Sequence, residues 1–485
     1  MPDKVPDKVQ KLTRSEFLKK VWCPYPPCHE ESSLTCWMGV RDFLKLSELK
    51  HSNTEGNHGK SVIPGSAWVC GRFTNGIAEL ASIESDGLEL RLSITPQTKW
   101  LESSIVCKCE FDLSQIQAGD WLAVLVSTTF NNSALRRVCE IEQIVLLAAT
   151  DDSSDGKSEQ ETKSSPSFTA NRARQWMQFL ATVRAHFVAQ DFIEAQTPTL
   201  VPSPGTEPYL DPFVTQWDFG STSHQFYLPT SPEFHLKRLL ARGWTKIFEF
   251  KTCFRNGEIS PHHQPEFQML EWYRALRGLD SIAQDVEELF ASLAIDFKLQ
   301  IPRLRRTSMR ELFFEAFGFS LTPSTSRKEL ARLASVHSIR VEENDSWDDI
   351  FFRLFLEHIE GDLGKAGPIL VRGYPPSQAA LSRIGADGFA DRFEVYWKGM
   401  ELANAFHELN DPVENEARFR QDAELKKQLG KTAVSVDEAL IRDLYRGMPP
   451  AGGIALGLDR LFMAMFDIQE IANARAFAIR LKDSI

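Results

Sequence analysis

Residues Phe248 to Arg274 read FEFKTCFRNGEISPHHQPEFQMLEWYR. Two strand-like runs flank a polar loop, and together they carry Arg255, the pair His262-His263, Phe267 and Glu271. An arginine can bind a phosphate or a carboxylate through two parallel hydrogen bonds. An aromatic face can stack on a nucleobase, and a carboxylate on the far strand can hold an ammonium group. Few chemistries need all three groups, and the activation of an amino acid by ATP is one of them.

A second segment, FEVYWKGMELANAFHELND (393–411), reads as a hairpin that turns at Lys398-Gly399. If the turn is this tight, Glu394 and Glu401 lie on the same face of the sheet. Two carboxylates on one face suit a hard divalent cation that also binds phosphate oxygens. Strict alternation places Asn404 on the opposite face, so it can join the site only if the strand bulges or ends first.

A third segment, AGGIALGLDRLFMAMF (451–466), has glycines that allow close backbone approach. It also has Arg460 at the start of an apolar helix, where the guanidinium could face a phosphate. No GxGxxG or GxxxxGK[ST] loop is present, so side chains must hold the phosphates of ATP if ATP is used. Each feature alone has an ordinary explanation, such as a surface ion pair, a solvated loop or a core aromatic ring. Their order and spacing together favour a single site.

Residues 168–485 resemble the catalytic domain of the class II aminoacyl-tRNA synthetases of the lysine type. Phe192–Pro198 resembles motif 1, whose proline lies at a dimer interface in that family. The stretch from Phe254 to Phe267 resembles motif 2, and Gly453 to Arg460 resembles motif 3. The resemblance implies an α+β fold, an antiparallel sheet flanked by helices, and a homodimer formed through the catalytic domain.

Four segments are more similar to the elongation factor P–lysine ligases, which are paralogues acting on a protein, than to true lysyl-tRNA synthetases. They are TSPEFHLKRLL (230–240), PEFQMLEWYR (265–274), PPSQAALSRI (375–384) and FEVYWKGMELANAFHEL (393–409). Ala455 stands where the tRNA enzymes usually carry glycine, and its methyl group fits a preference for β-lysine. The resemblance implies activation of lysine or β-lysine as an adenylate and transfer to a lysine of elongation factor P. A lysyl-tRNA synthetase charging tRNA(Lys) and a non-catalytic lysine-binding homologue are the alternatives.

The resemblance also implies roles for individual residues. The ATP site would comprise Arg255, Asn256, Glu258, His263, Gln264, Phe267, Glu394, Glu401, Gly457 and Arg460, with Glu394 and Glu401 binding Mg²⁺ and Arg255 and Arg460 acting in catalysis. The substrate pocket would comprise Glu233 for the amine near the carboxylate, Glu271, Tyr273, Asn404 and Glu408 for the distal ammonium, and Ala455. Motif 2 departs from the family because Gly257 takes the usual glutamate position and Glu258 follows, and because Gln264 replaces the usual asparagine.

The rest of the chain is divided by composition. Residues 1–62 form an extension without recognisable chemistry, and 63–150 contain five strand-like runs typical of a small OB-like barrel, with a β-sandwich as the alternative. Residues 151–167 are polar and predict a solvated linker before the catalytic domain at 168–485. The segment 60–150 holds seven Lys and Arg against ten Asp and Glu, a poor balance for a domain that reads RNA.

The formal net charge of −11 argues against tight non-specific binding of nucleic acid. No run of about 18 apolar residues predicts a membrane span, and the first residues do not resemble a signal peptide, so we expect a cytoplasmic protein without a membrane partner. The cluster Cys23, Cys28, His29 and Cys36 fits no standard zinc finger, and free thiols are predicted. The role of residues 1–150, the lysine isomer and the acceptor stay open.

Overall fold

The computed structural model describes residues 169–479 and, before them, the backbone of eight strands between residues 38 and 148. The linker at 151–167, the Cys23/Cys28/His29/Cys36 cluster and nearly all of the extension at 1–62 lie outside the described residues. The chain divides into two compact units, Met1–Asn171 and Arg172–Ile485. The domain boundaries drawn from composition stay a prediction.

The strands of the first unit belong to one sheet. They are β1 (Met38–Gly39), β2 (Ser66–Ile77), β3 (Leu80–Ser85), β4 (Leu88–Ser93), β5 (Lys99–Glu102), β6 (Ile105–Cys107), β7 (Trp121–Ser127) and β8 (Cys139–Ala148). The pairings β2–β3, β3–β4, β4–β8, β8–β7 and β7–β2 close five strands into a ring, and only β4–β8 among these is parallel. The five strand-like runs in the sequence are SAWVCGRF (66–73), LELRLSI (88–94), IVCKCEF (105–111), DWLAVLVS (120–127) and RRVCEIEQIVLL (136–147). Each contains a strand, but the ring uses β3, which was not predicted, and leaves out β6, which was.

The second unit mixes helices with a large sheet. Its helices are α1 (Ala170–Ala189), α2 (Glu233–Ala241), α3 (Leu279–Phe297), α4 (Met309–Phe317), α5 (Arg327–Val336), α6 (Trp347–His358), α7 (Pro412–Gln428), α8 (Glu438–Tyr445) and α9 (Leu458–Phe466). Its strands are β9 (Ile193–Glu194), β10 (Val214–Phe219), β11 (Thr222–Tyr227), β12 (Lys246–Phe254), β13 (Glu266–Ala275), β14 (Arg305–Ser308), β15 (Ile369–Tyr374), β16 (Ala390–Trp397), β17 (Met400–His407) and β18 (Ala451–Gly457). No helix in the part of the chain that the structure describes is long and apolar enough to cross a bilayer.

The large sheet has eight strands in the order β14-β15-β16-β17-β18-β13-β12-β9. Its central pairs are antiparallel, but β14 runs parallel to β15 and β9 runs parallel to β12. The expectation of a wholly antiparallel sheet is therefore wrong at both edges, and the sheet is mixed. Parallel neighbours need a crossover connection, and helices α4 to α6 supply one between β14 and β15, while α2 lies in the connection from β9 to β12.

One face of this sheet is covered by α1, α3 and α9. In the sequence, Trp176, Phe179, Leu180, Val183 and Phe187 recur at helical spacing, which predicts one buried helix face. This is confirmed on α1, because Phe179, Val183 and Phe187 are fully buried and Trp176 and Leu180 pack against the same cluster. The strand residues of this cluster alternate with residues that line a cavity on the opposite face. Because side chains alternate across a strand, the helices anchor the sheet and leave its other face for the site.

The hairpin of β16 and β17 turns where the sequence predicted. Lys398 and Gly399 both have positive φ angles, 54° and 74°, as a two-residue hairpin turn requires. The pairing shifts beyond the first two residue pairs, so that Glu394 lies opposite Asn404. This irregularity at Leu402 is the bulge that Asn404 needs to reach the face of Glu394.

Candidate active site

A cavity of about 400 Å³ lies on the face of the sheet opposite α1, α3 and α9. Most of the predicted site residues line it: Glu233, Arg255, Glu258, His263, Gln264, Phe267, Glu271, Tyr273, Glu401, Asn404, Glu408, Ala455, Gly457 and Arg460. Asn256 and Glu394 lie outside its lining. The cavity has two ends of opposite charge, which we call the cationic end (Arg255, Arg460) and the acidic end (Glu207, Glu233, Glu271, Glu408).

Arg460 is held at the cationic end by hydrogen bonds to three neighbouring groups, one of them the main-chain oxygen of His262 at 3.4 Å. Its guanidinium donates to the main-chain oxygen of Glu401 over 2.8 Å and lies 2.6 Å from Nε2 of His263. Because an arginine can only donate, Nε2 must accept, and the ring proton lies on Nδ1, which faces Ser260 Oγ at 2.7 Å. Burial and then Arg460 lower the pKa of His263 to about 4. At neutral pH, His263 is therefore an uncharged acceptor that orients Arg460.

Arg255 follows β12 and lies over the ring of Phe267, with Cζ 5.0 Å from the ring centroid. Its Nη1 is 3.9 Å from Glu258 Oε2, and its buried Nε has no hydrogen-bond partner among the described residues. Gly257 has φ +78°, a conformation that favours glycine, and the loop turns there before Glu258. The glutamate shifted by one position thus still lies near the arginine, and the open donor on Arg255 suits an anion.

Two residues predicted to contact ATP also hydrogen-bond to other segments of the protein. The side-chain amide of Gln264 exchanges two hydrogen bonds with the backbone of Ile479, at 3.1 and 2.9 Å. The N–H of Asn256 donates to the carbonyl oxygen of Asp211 over 2.8 Å. The polar atoms of Gln264 are committed to the C-terminal segment, although its side chain lines the cavity.

The carboxylate pair is arranged asymmetrically. Glu401 lines the cavity, and burial together with the charge of Glu394 raises the pKa of Glu401 to about 7. Both oxygens of Glu394 are already bonded, because the hydroxyls of Tyr374 and Tyr396 each donate to Oε2 over 2.5 Å and Arg392 pairs with Oε1. Sequence reasoning missed Arg392, whose only signal was its place two residues before the glutamate.

The acidic end contains a lysine of the chain itself. Lys237 Nζ lies 2.6 Å from Glu233 and 2.7 Å from Glu408, and its side chain is 1% exposed. Burial alone would lower the pKa of Lys237, but the two carboxylates raise it above its usual value, so it stays charged. Burial raises the pKa of Glu408 to about 7 against the opposing effect of Lys237. Sequence analysis did not identify Lys237. Its position four residues after Glu233 in a helical segment was the available signal for this contact.

Glu271 receives hydrogen bonds from neutral hydroxyls. Tyr273 donates to it over 2.6 Å and Ser231 over 3.0 Å, while burial and the charge of Glu233 raise the pKa of Glu271 well above its usual value. A Cβ on Gly453 would overlap both Tyr273 and Glu408, so this glycine is what allows the strand to approach them.

The cavity lining also contains Ala455, which was predicted, and two acidic residues that were not, Asp459 and Glu207. Ala455 lies between Glu271 and Asn404 in the strand pairing, which places its methyl beside both predicted substrate ligands. Asp459, buried at the start of α9, accepts a hydrogen bond from the N–H of Gln268 over 2.7 Å and was missed, as was Glu207. Neither acid lies in a strand of the sheet, so alternation along the strands could not reveal them.

Comparison with known proteins identifies relatives of the second unit. A family model of the tRNA synthetases class II (D, K and N) matches residues 166–480. The elongation factor P–(R)-β-lysine ligase of Haemophilus influenzae (strain PittGG) is 37% identical over 305 residues, 62% of this chain and 92% of that protein. Proteins with the same name from Haemophilus ducreyi and Salmonella typhi are 36% and 34% identical, over 62% of this chain and 91% and 92% of their own length.

Proposed function

Because the chain belongs to the class II tRNA synthetases (D, K and N), we propose that it activates lysine or β-lysine with ATP and transfers it to a lysine side chain of elongation factor P. The resemblance to the elongation factor P–lysine ligases is confirmed by relatives that the chain covers over nine tenths of their length. The chain is an ATP-dependent ligase. The observation that carries the proposal is one cavity with guanidinium groups at one end and carboxylates at the other.

The opposite charges of the two ends support one orientation of the substrates. The carboxylate of lysine lies at Arg255 and attacks the α-phosphorus of ATP, and pyrophosphate leaves. Arg255 and Arg460 offset the charge that develops on the phosphates, and their fixed positions lower the cost of bringing the reactants together. Phe267 stacks on adenine. The amine of the acceptor lysine then attacks the activated carbonyl, forms an amide bond, loses a proton, and releases AMP.

The acidic end binds the amines of the substrate. Glu271, with Tyr273, Asn404 and Glu408, receives the distal ammonium, and Glu233 receives the amine nearer the carboxylate. Lys237 offsets part of the repulsion among these buried carboxylates before the substrate arrives. Buried charges of this kind select a dicationic amino acid over an apolar one, because an uncharged side chain would leave them unpaired.

The donor set at the cationic end fits magnesium only in part. Within residues 169–479, no group of three His, Cys, Asp or Glu is placed to hold a metal ion alone. Glu401 faces the cavity as a hard oxygen ligand, and phosphate oxygens would complete the coordination. The oxygens of Glu394 already accept hydrogen bonds from Tyr374, Tyr396 and Arg392, so coordination by Glu394 would compete with these bonds. Bound magnesium would draw charge from the phosphates and polarise them toward attack.

A second candidate function is the charging of tRNA(Lys), and the first unit is the observation that favours it. We interpret the five-strand ring β2-β3-β4-β8-β7 as an OB-like barrel, a fold that often binds oligonucleotides. The excess of acidic over basic residues in 60–150 weighs against an RNA reader. The aligned relatives cover 62% of this chain, so they leave the function of the first unit open.

We also propose a cytoplasmic homodimer formed through the second unit. Its support is a set of exposed apolar side chains on α1 and around β9, the region that resembles motif 1. Val188, Ile193 and Leu200 are 56%, 53% and 44% exposed. Apolar side chains gathered on an exposed surface often mark an interface.

The deciding experiment offers labelled lysine or (R)-β-lysine, with ATP and Mg²⁺, to elongation factor P and to tRNA(Lys) in separate reactions. We expect label on elongation factor P, and none on a factor whose acceptor lysine is replaced by arginine. Label on tRNA(Lys) alone would instead establish the second candidate. Amino-acid-dependent exchange of pyrophosphate into ATP, measured without an acceptor, separates failure of activation from failure of transfer.

A further inference from the structure

Glu207 is the carboxylate of the acidic end that the mechanism above does not use. It belongs to the loop between β9 and β10 and lines the same cavity as Glu233. Its Oε2 is buried and has no hydrogen-bond partner among the described residues. The other three carboxylates are engaged, Glu233 and Glu408 by Lys237 and Glu271 by two hydroxyls.

The loop is built to keep Glu207 in place. Lys426, on α7, donates from Nζ to the carbonyl oxygen of Glu207 over 3.1 Å. Gly205 has φ +125°, and a Cβ there would overlap Oε2 of Glu207. The glycine therefore allows the carboxylate to fold back against its own loop, and the lysine fixes the backbone that carries it.

The charged groups that act on Glu207 locate it along the cavity. Burial and Glu233 raise the pKa of its carboxyl, while a hydrogen bond from the backbone N–H of Glu207 itself, then Lys426 and Arg255, lower it. Arg255 marks the position of the reacting carboxylate, and Glu233 is assigned to the amine nearest to it. Glu207 thus lies on the side of the reacting carboxylate, whereas Glu271 and Tyr273 are assigned to the distal ammonium.

We infer that Glu207 is a specificity-determining residue which, together with Glu233, binds the substrate ammonium nearest the reacting carboxylate. The inference rests on the proposed function and deepens it. A buried carboxylate oxygen without a donor gains most from a ligand that brings a cationic donor. Since α- and β-lysine differ in how far this amine lies from the carboxylate, two carboxylates around it can distinguish the isomers.

The test compares three ligands in pyrophosphate exchange. Lysine and (R)-β-lysine carry both amines, whereas 6-aminohexanoate keeps the distal ammonium and lacks the other. We expect Glu207→Gln to lower kcat/KM for both lysines by roughly 10- to 100-fold, the range for a hydrogen bond to a charged group. The inhibition constant of 6-aminohexanoate should stay within about twofold of wild type, which also shows that the variant is folded.

Two further variants sharpen the result. Glu271→Gln should weaken all three ligands, because the distal ammonium is common to them. Glu207→Asp keeps the charge and withdraws it by one methylene, so the ratio of kcat/KM for (R)-β-lysine over lysine should change several-fold. Equal losses for the three ligands in Glu207→Gln, or an unchanged isomer ratio in Glu207→Asp, would overturn the inference.

Pyrophosphate exchange by the wild-type protein distinguishes failure of this inference from failure of the proposed function. Exchange with either lysine in the wild type, combined with unchanged kinetics in Glu207→Gln, rejects the role of Glu207 and leaves the function in place. No exchange with either lysine in the wild type rejects both.

Discussion

The two ends of the cavity differ in how their charges are held. The cationic end is carried by a loop and the first turn of a helix. The side chain of Arg255 is 25% exposed, and its Nε has no hydrogen-bond partner in the described part of the chain. At the acidic end, Lys237 and Glu408 are each 1% exposed and bonded to one another. The cationic end is thus left open for a large anion, whereas the acidic end is largely neutralised in advance.

The difference follows from the cost of burying charge. Guanidinium groups near solvent are hydrated, so they need few partners within the protein and stay available to bind a triphosphate. Several carboxylates in a small buried space repel one another and lose their hydration, and this cost must be offset within the protein. The chain offsets it with a lysine, two hydroxyls and raised pKa values at Glu271 and Glu408. Sequence analysis predicted three carboxylates in the substrate pocket but did not identify the lysine that lies between two of them.

The largest effect on activity is expected from the removal of the Arg255 guanidinium. Arg255→Ala should lower kcat/KM for pyrophosphate exchange about 1,000-fold, because a fixed donor at the reacting phosphate is lost. The fold should survive, since the side chain makes few internal bonds. The matched control is Arg372→Ala, which removes an exposed arginine of β15 and should change exchange less than twofold. A loss below tenfold at Arg255 would show that the cationic end does not act on the reacting phosphate.

At the acidic end, substitution of Lys237 should reduce the stability of the protein. Lys237→Met should lower the free energy of unfolding by about 3 kcal/mol, because it leaves Glu233 and Glu408 buried without their cation. Adding Glu408→Gln should recover part of the loss. Chemical denaturation measures both, with Lys398→Met, which removes the surface pair to Asp467, as the control. If the two lysine variants are equally stable, Lys237 does not neutralise the acidic end.

The pH dependence of the free energy of unfolding tests the raised pKa of Glu401. Its folded pKa of about 7 exceeds the value of about 4.3 expected in an unfolded chain. Between these values the folded state binds the extra proton, so the stability that Glu401 contributes falls as pH rises. From pH 5 to pH 8, the wild type should lose about 2 kcal/mol relative to Glu401→Gln.

The control for this measurement is Glu329→Gln. Hydrogen bonds from Ser326 lower the pKa of Glu329, so its contribution changes below pH 5 and its difference from wild type should be constant from pH 5 to 8. A constant difference for Glu401→Gln as well would contradict the raised pKa.

The smallest effect concerns a single methyl group. Ala455→Gly opens space between Glu271 and Asn404 and should lower the preference for (R)-β-lysine over lysine by about tenfold or less, the value of one methyl(ene) in a pocket. Exchange assays with each isomer measure it, and Ala405→Gly on the opposite face of β17 controls for the flexibility of glycine. An unchanged ratio would mean that the methyl group does not select the isomer.

Much of the fold could be predicted from local patterns. The helical spacing of Phe179, Val183 and Phe187 identified a buried helix face, and Lys398-Gly399 identified a hairpin, because backbone preference and side-chain periodicity act over a few residues. The edges of the large sheet could not be predicted in this way. The direction of β9 and β14 depends on crossover connections, which periodicity does not encode.

In the site too, some features could be predicted from local sequence and others could not. The residue types of the three motifs pointed to an anion beside an ammonium, and their side chains line one cavity. The partners of these residues were not visible: Arg392 and two tyrosines hold Glu394, and Ile479 holds Gln264. Such bonds join segments far apart in the chain, so spacing alone gives no signal for them.

The sequence by itself determined which chemical groups the protein brings to its substrates and on which hairpin and helix they lie. Only the tertiary structure decided how those groups are charged and held. It placed Lys237 between two carboxylates and used one bulge to bring Asn404 beside Glu394. Among the residues that the structure describes, it left Oε2 of Glu207 without a hydrogen-bond partner. The physical reason is that turns and periodicity depend on neighbours along the chain, whereas desolvation and charge pairing depend on neighbours in space.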